Sequence, residues 1–258
     1  MPITLTGTLT VTESIPVNYL VVGAGGGAGT SYYSALSGGA AGLVVSGTAY
    51  FSTYLPSLIS VGAGGVGTRY PSTPSNGGRS IFANFIATGG KAPDPSARRN
   101  MGLGGSNGVG GDNDLYLGGN DNLAGNAGGG GAGANANGGN SAISIGGAGG
   151  TGVISTILGA SNSYGVGGTG GSWNAGATNG ANGGANTGNG GSGGNSDGLQ
   201  TPTLGTNGNG GSGVVIIQIP ASRTATFTGV CSVSTPSVAG YKTYVVTATT
   251  GTVTVTFS

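Results

Sequence analysis

Glycine recurs at every third position through the middle of this chain: Gly102, Gly105, Gly108 and Gly111; Gly146, Gly149 and Gly152; Gly165, Gly168 and Gly171; Gly188, Gly191 and Gly194; Gly205, Gly208 and Gly211. A period of three matches neither the 3.6 of an α-helix nor the 2 of a strand. A second phase is often glycine too. The Gly188 run leaves only Asn189, Ser192 and Asn195 with side chains, and the Gly205 run carries Thr206, Asn209 and Ser212 on its third phase. A helix of three residues per turn with no internal hydrogen bonds is polyproline II. Buried backbone groups must be paired, so such helices enter an interior only by bonding sideways, at distances that leave no room for Cβ atoms. The expected fold is therefore mostly irregular and β: a bundle of short polyglycine-II helices, held by backbone bonds rather than by a conventional apolar core, with flanking β-strands from both termini. Collagen is excluded, because a strict Gly-X-Y repeat never persists and only 10 prolines are present.

Three zones follow from the patterning: an N-terminal β-segment (1–22), the glycine-rich bundle with variable loops (23–213) and a C-terminal β-segment (214–258). Ile3, Leu5, Leu9, Val11 and Tyr19 to Val22 belong to the first, and Val214 to Ile219, Tyr244 to Val246 and Thr252 to Phe257 to the last. Such alternating or continuous apolar runs are strand signals. Each end alone is too short for a stable sheet, so the ends should pair with each other or with a partner chain.

Composition narrows the chemistry. Charged residues are 5% of the chain and histidine is absent, which removes the commonest side chains for proton transfer and metal-assisted catalysis. The chain is thus expected not to be an enzyme, with no catalytic residues, no cofactor and no metal. A net charge of +1 offers no basic surface for phosphates, which argues against nucleic acid as a partner. Cys231 is the sole cysteine and reads as an inert thiol. The N-terminus shows no signal-peptide pattern, and no apolar run approaches the roughly 20 residues that span a bilayer. A surface protein of that kind fits a virion or another extracellular surface.

Two stretches imitate a dinucleotide fingerprint, Gly23-Ala-Gly-Gly-Gly-Ala28 and Gly62-Ala-Gly-Gly-Val-Gly67, but neither precedes a helix pattern, and no acid falls between Glu13 and Asp94. Gly119 to Gly125 imitates one turn of a calcium-binding β-roll, but Asp114 and Asp121 are spaced seven apart rather than nine. Trp173 could stack on a carbohydrate or plug the end of the bundle.

Between the glycine runs lie loops of different character, at 30–37, 68–75, 91–100, 112–117 and 155–164. Charge collects on three of them, at Arg69, Lys91, Asp94, Arg98, Arg99, Asp112 and Asp114. Large planar and guanidinium groups on loops of a rigid scaffold suit recognition. The candidate receptor-binding residues are Tyr32, Tyr33, Arg69, Tyr70, Lys91, Arg98, Arg99 and Tyr116, expected at one exposed end. Their alternative role is solubility.

The strand and glycine turn Val17-Asn-Tyr-Leu-Val-Val-Gly-Ala-Gly-Gly-Gly-Ala-Gly29, then Gly38 to Gly42, Ile59 to Gly67, Asn76 to Phe82, Ala185 to Gly188 and Gly210 to Pro220, succeed one another in an order that resembles the glycine-rich domain of phage tail-fibre and receptor-binding proteins, including the tip adhesins of T-even-like long tail fibres. The segment Tyr241 to Val255 is similar to the β-segment that often follows. The resemblance implies a phage tail-fibre adhesin with a polyglycine-II core and specificity-setting loops. Its partners would be host surface polysaccharide or an outer-membrane protein, together with other fibre subunits or copies of itself, and it would not insert in a membrane. The alternative is a self-assembling structural fibre or virion decoration subunit that pairs its terminal strands with a neighbour's; an ice-binding face is a third possibility, weakened by the mixed third-phase residues.

Overall fold

The computed structural model describes residues 13–30, 36–69, 71–93, 116–121, 126–198 and 204–258. Its strands are β1 (Ser14–Val22), β2 (Gly29–Thr30), β3 (Leu36–Ser37), β4 (Val44–Ser52), β5 (Ser57–Ser60), β6 (Ser80–Phe82), β7 (Phe85–Ala87), β8 (Val153–Ser155), β9 (Asn162–Tyr164), β10 (Val214–Pro220), β11 (Ala225–Ser234), β12 (Ser237–Val238) and β13 (Tyr241–Phe257). Nine of them form one antiparallel sheet in the order β4-β1-β10-β13-β5-β6-β7, with β11 and β12 also paired to β13.

The two ends of the chain meet at the centre of this sheet. In the β1–β10 pair, Val21 lies opposite Val215 and Tyr19 opposite Ile217. Besides β11 and β12, the 17-residue β13 pairs along its length with β10, matching Val246 to Val215, and, further along, with β5, matching Val253 to Ile59. Apolar runs without alternation make sense here because both faces are covered. Ile15, Val17, Tyr19 and Val21 enter the main core with Val215, Ile217 and Ile219. Leu20 and Val22 point the other way, into a second cluster with Val214, Ile216 and Tyr164 of the β8–β9 hairpin.

The sheet curls. Tyr19 on β1 stacks against Phe85 on β7, with ring centroids 4.1 Å apart, although the two strands are far apart in the sheet order. Phe82 closes the interior between Phe51 and Phe257, at centroid distances of 5.0 Å and 6.5 Å. Phe82 and Phe257 are fully buried; removing each from water is worth about 1.5–3 kcal/mol.

This architecture corrects the expected bundle of polyglycine-II helices without an apolar core. Among the described residues no helix occurs, the regular structure is β-strand, and a conventional apolar core lies within the curled sheet. The physical reason is that aromatic and β-branched residues scattered in the middle zone, Phe51, Ile59, Phe82 and Phe85, join the terminal strands and bury surface that glycine cannot supply. Two glycines that lead runs also depart from polyproline-II geometry: Gly165 and Gly188 have φ of 71° and 67°, opposite in sign to the roughly −75° of that conformation. They turn the chain. The Gly102 run lies outside the described residues.

The other glycine segments form a layer beyond one end of the sheet that is neither strand nor helix, joined by lateral backbone hydrogen bonds. Residues 23–28 donate in rotation to three neighbours: Gly23 and Gly26 to Leu43 and Ala40, Ala24 and Gly27 to Gly78 and Ser75, Gly25 and Ala28 to Gly211 and Gly208, all at 2.8–3.1 Å. Every third residue thus addresses the same neighbour, which accounts for the period in the sequence. A Cβ on Gly25 would lie 1.9 Å from the Asn189 carbonyl oxygen, so only glycine permits this approach.

Candidate functional site

The glycine layer has a sheet end and a far end. The chain leaves β1 at Val22, runs out through 23–28, turns at β2–β3 and returns through 38–43 to β4. It goes out again after β5, turns at 69–74 and returns to β6; later excursions turn at 142–145 and 173–177, and residues 204–213 return to β10. Among the described residues, the turns that join an outward to a returning segment lie at the end remote from the sheet.

Hydrogen bonds join several of these connections into one surface. The Trp173 N–H donates to the Ser144 carbonyl at 3.0 Å, the Ser196 N–H to Ser172 at 3.0 Å, and the Ala175 N–H to Ser196 at 3.0 Å. Ser196 bridges to Leu204, and the Arg69 guanidinium donates to the Leu204 carbonyl at 3.1 Å. Asn207 Nδ2 donates to the Thr68 carbonyl at 2.6 Å. The turn 142–145 closes by paired backbone bonds between Ala142 and Ile145, with Ser144 at φ 61°. That geometry holds Ile143 and Ile145 outward, 70% and 63% exposed, beside the half-buried Trp173. Exposed residues of this size are ordinary singly, and Tyr54 and Leu55 beyond the end of β4 are comparably exposed; what distinguishes the far end is two isoleucines on one turn beside a tryptophan.

The candidate residues read from the sequence do not all converge. Arg69 is exposed at the far end. Lys91 is half-buried midway along the layer, where its carbonyl accepts the Ala40 N–H at 2.9 Å. Tyr116 lies toward the sheet end, for its neighbour Leu117 receives the Gly138 N–H just after the 134–136 turn. Tyr32, Tyr33, Tyr70, Arg98 and Arg99 lie outside the described residues. Ile143 and Ile145 were not singled out from the sequence; the signal available was an Ala-Ile-Ser-Ile stretch breaking two glycine runs.

Also at the far end, Asp121 Oδ1 accepts the Ser37 hydroxyl at 2.9 Å and the Gly129 N–H at 2.6 Å. Burial raises its carboxyl above the usual aspartate range, and these two hydrogen bonds oppose the shift without cancelling it. No group of three or more His, Cys, Asp or Glu residues gathers among the described residues.

The third-phase side chains have a different task. Asn189, Ser192 and Asn195 accept the N–H groups of Val166, Thr169 and Ser172 at 2.9, 3.3 and 2.8 Å. Asn179 and Asn182 do the same for Thr206 and Asn209 at 2.9 and 2.8 Å. The short polar residues of the glycine runs therefore complete the backbone bonding of the layer.

Residues 4–220 match the model of a family described as a glycine-rich domain. No curated protein matches the chain, and no solved structure matches it.

Proposed function

The chain belongs to the glycine-rich domain family, and on that premise we propose that it is a non-enzymatic adhesin of a virion tail fibre or similar extracellular surface, contacting a host cell-surface receptor through the far-end connections. The supporting observation is the division of labour among side chains. The layer spends its Asn and Ser groups on its own backbone, whereas the far end presents Arg69, Ile143, Ile145 and Trp173 on turns tied together by hydrogen bonds. Arginine and large apolar groups on a pre-ordered frame are the materials of binding hot spots. Both described chain ends lie at the opposite pole: Glu13 accepts the Thr53 N–H and Ser258 exchanges bonds with Thr224, while Tyr54 N–H reaches Phe257.

The competing role, edge-to-edge assembly, would use the outer side of β11, which pairs only with β13 among the described residues. Register shifts at Thr228/Val230 and Ser232/Val233 interrupt that strand. Irregularities of this kind disfavour strand addition, which supports the adhesin.

The test replaces residues 69–74 and 142–145 by Gly-Ser sequences of equal length and measures adsorption of the purified protein to host cells. Loss of adsorption by variants with unchanged thermal unfolding is expected. Full adsorption by a folded double variant would overturn the proposal.

A further inference from the structure

On one flank of the glycine layer, between the segments 64–66 and 182–185, the segment 209–212 forms the floor of an open groove of ≈ 380 Å³. Its lining contains no charged and no aromatic residue. Two carboxamides enter it in fixed orientations. Asn182 Oδ1 accepts the Asn209 N–H, and Asn209 Oδ1 accepts the Gly67 N–H, each at 2.8 Å. With both oxygens held by backbone donors, the amide flips are settled, and each Nδ2 is left as a pair of donors on an exposed residue. The N–H of Gly64 makes no hydrogen bond among the described residues, and Val66, 55% exposed, adds an apolar rim.

We propose that this groove, on the flank of the layer rather than at the far end, binds an uncharged oligosaccharide segment, such as a stretch of neutral surface polysaccharide; this rests on the adhesin function proposed above and adds a second contact to it, made by the Nδ2 groups that the layer's own backbone bonding leaves over. The chemistry decides between ligand types. A charged ligand would find no counter-charge in the groove. A bulky apolar ligand would find bare glycine instead of side chains to pack against. A neutral sugar chain offers hydroxyl acceptors at intervals, which match oriented amide donors, and its C–H faces suit Val66. Donors whose partner oxygens are already locked lose little conformational freedom on binding, and this favours affinity from few contacts.

Asn182→Asp and Asn209→Asp test the donors, because a carboxylate keeps the oxygen that accepts the backbone N–H while the donor pair is replaced by a second, charged acceptor. Maltoheptaose, cellohexaose and an isomaltose heptamer serve as neutral probes, with oligogalacturonate as the acidic control, followed by affinity electrophoresis and by titration monitored through amide NMR shifts. Saturable binding of a neutral probe that perturbs Gly64, Asn182 and Asn209, and that weakens about tenfold or more in the double variant, is expected. The proposal is overturned if no neutral probe binds the wild type, or if a folded double variant binds as well as wild type. Whole-cell adsorption separates the two proposals. Adsorption lost on replacing the far-end turns but retained in the groove variant removes the groove and leaves the adhesin standing. Adsorption unaffected by either change removes both.

Discussion

Asn189 Oδ1 accepts the N–H of Val166 at 2.9 Å, across 23 residues of sequence, and the same spacing recurs from Ser192 to Thr169 and from Asn195 to Ser172. Two segments are thereby stitched side chain to backbone at every third residue, in step with the glycines that allow them to touch. Replacing Asn189 by Ala leaves the partly buried Val166 N–H without its acceptor. The expected loss is about 1–3 kcal/mol, measured by chemical denaturation, and Asn189→Asp, which retains the acceptor, should lose less.

Glycines in the layer differ sharply in what they tolerate. A Cβ on Gly191 would lie 2.1 Å from the Gly208 carbonyl oxygen, and the obstacle is backbone, which cannot yield cheaply. Gly191→Ala should destabilise at the upper end of, or beyond, the roughly 1–3 kcal/mol of ordinary overpacking. Gly159, at φ 82°, meets nothing within 4 Å. There Ala costs only the left-handed backbone, about 1–2 kcal/mol. Equal losses at the two sites would contradict close packing at Gly191.

Phe82 is fully buried and lies within ring contact of Tyr19, Phe51, Phe85 and Phe257. Phe82→Ala should cost about 3–5 kcal/mol. Because the sheet and the glycine layer share continuous chain at β1, β4, β6, β7 and β10, a single cooperative unfolding transition with a lower midpoint is expected in calorimetry. A variant that loses the sheet signal while the layer keeps its protection from hydrogen exchange would show the layer to be independent of this core.

Asp121 predicts a pH dependence of defined sign. Its folded carboxyl titrates above the ordinary value of about 3.9. In the interval between that value and the raised one, the folded state keeps a proton that the unfolded chain has released. Stability from this group is therefore complete below about pH 3.9 and is lost as pH rises through the raised value. Asp121→Asn, which keeps an oxygen for Ser37 and Gly129, should flatten that part of the stability profile. Denaturation midpoints compared across the interval check it; parallel curves for the two proteins would refute the assignment.

The sequence by itself determined a good deal of this protein. Apolar runs at Tyr19 to Val22, Val214 to Ile219, Tyr244 to Val246 and Thr252 to Phe257 specify strands, because period and composition are local properties; Ile3, Leu5, Leu9 and Val11 lie outside the described residues. The three-residue glycine period specifies segments that touch laterally, since a missing Cβ has no other common use at that spacing. Only the tertiary structure decided where the apolar core lies. Phe51, Ile59, Phe82 and Phe85 are isolated in sequence amid glycine and polar residues, and no local pattern reveals that the sheet curls to bring Tyr19 onto Phe85. The candidate site divides in the same way. Arg69 could be read as exposed from its loop, but its alignment with Leu204, and the placing of Tyr116 toward the other end of the layer, depend on which segments run outward and which return. The third-phase Asn and Ser residues were visible as the side-chain-bearing phase. Their partners were not, because a lateral hydrogen bond is set by the register between segments, and register is a relation between distant parts of the chain that period alone does not encode.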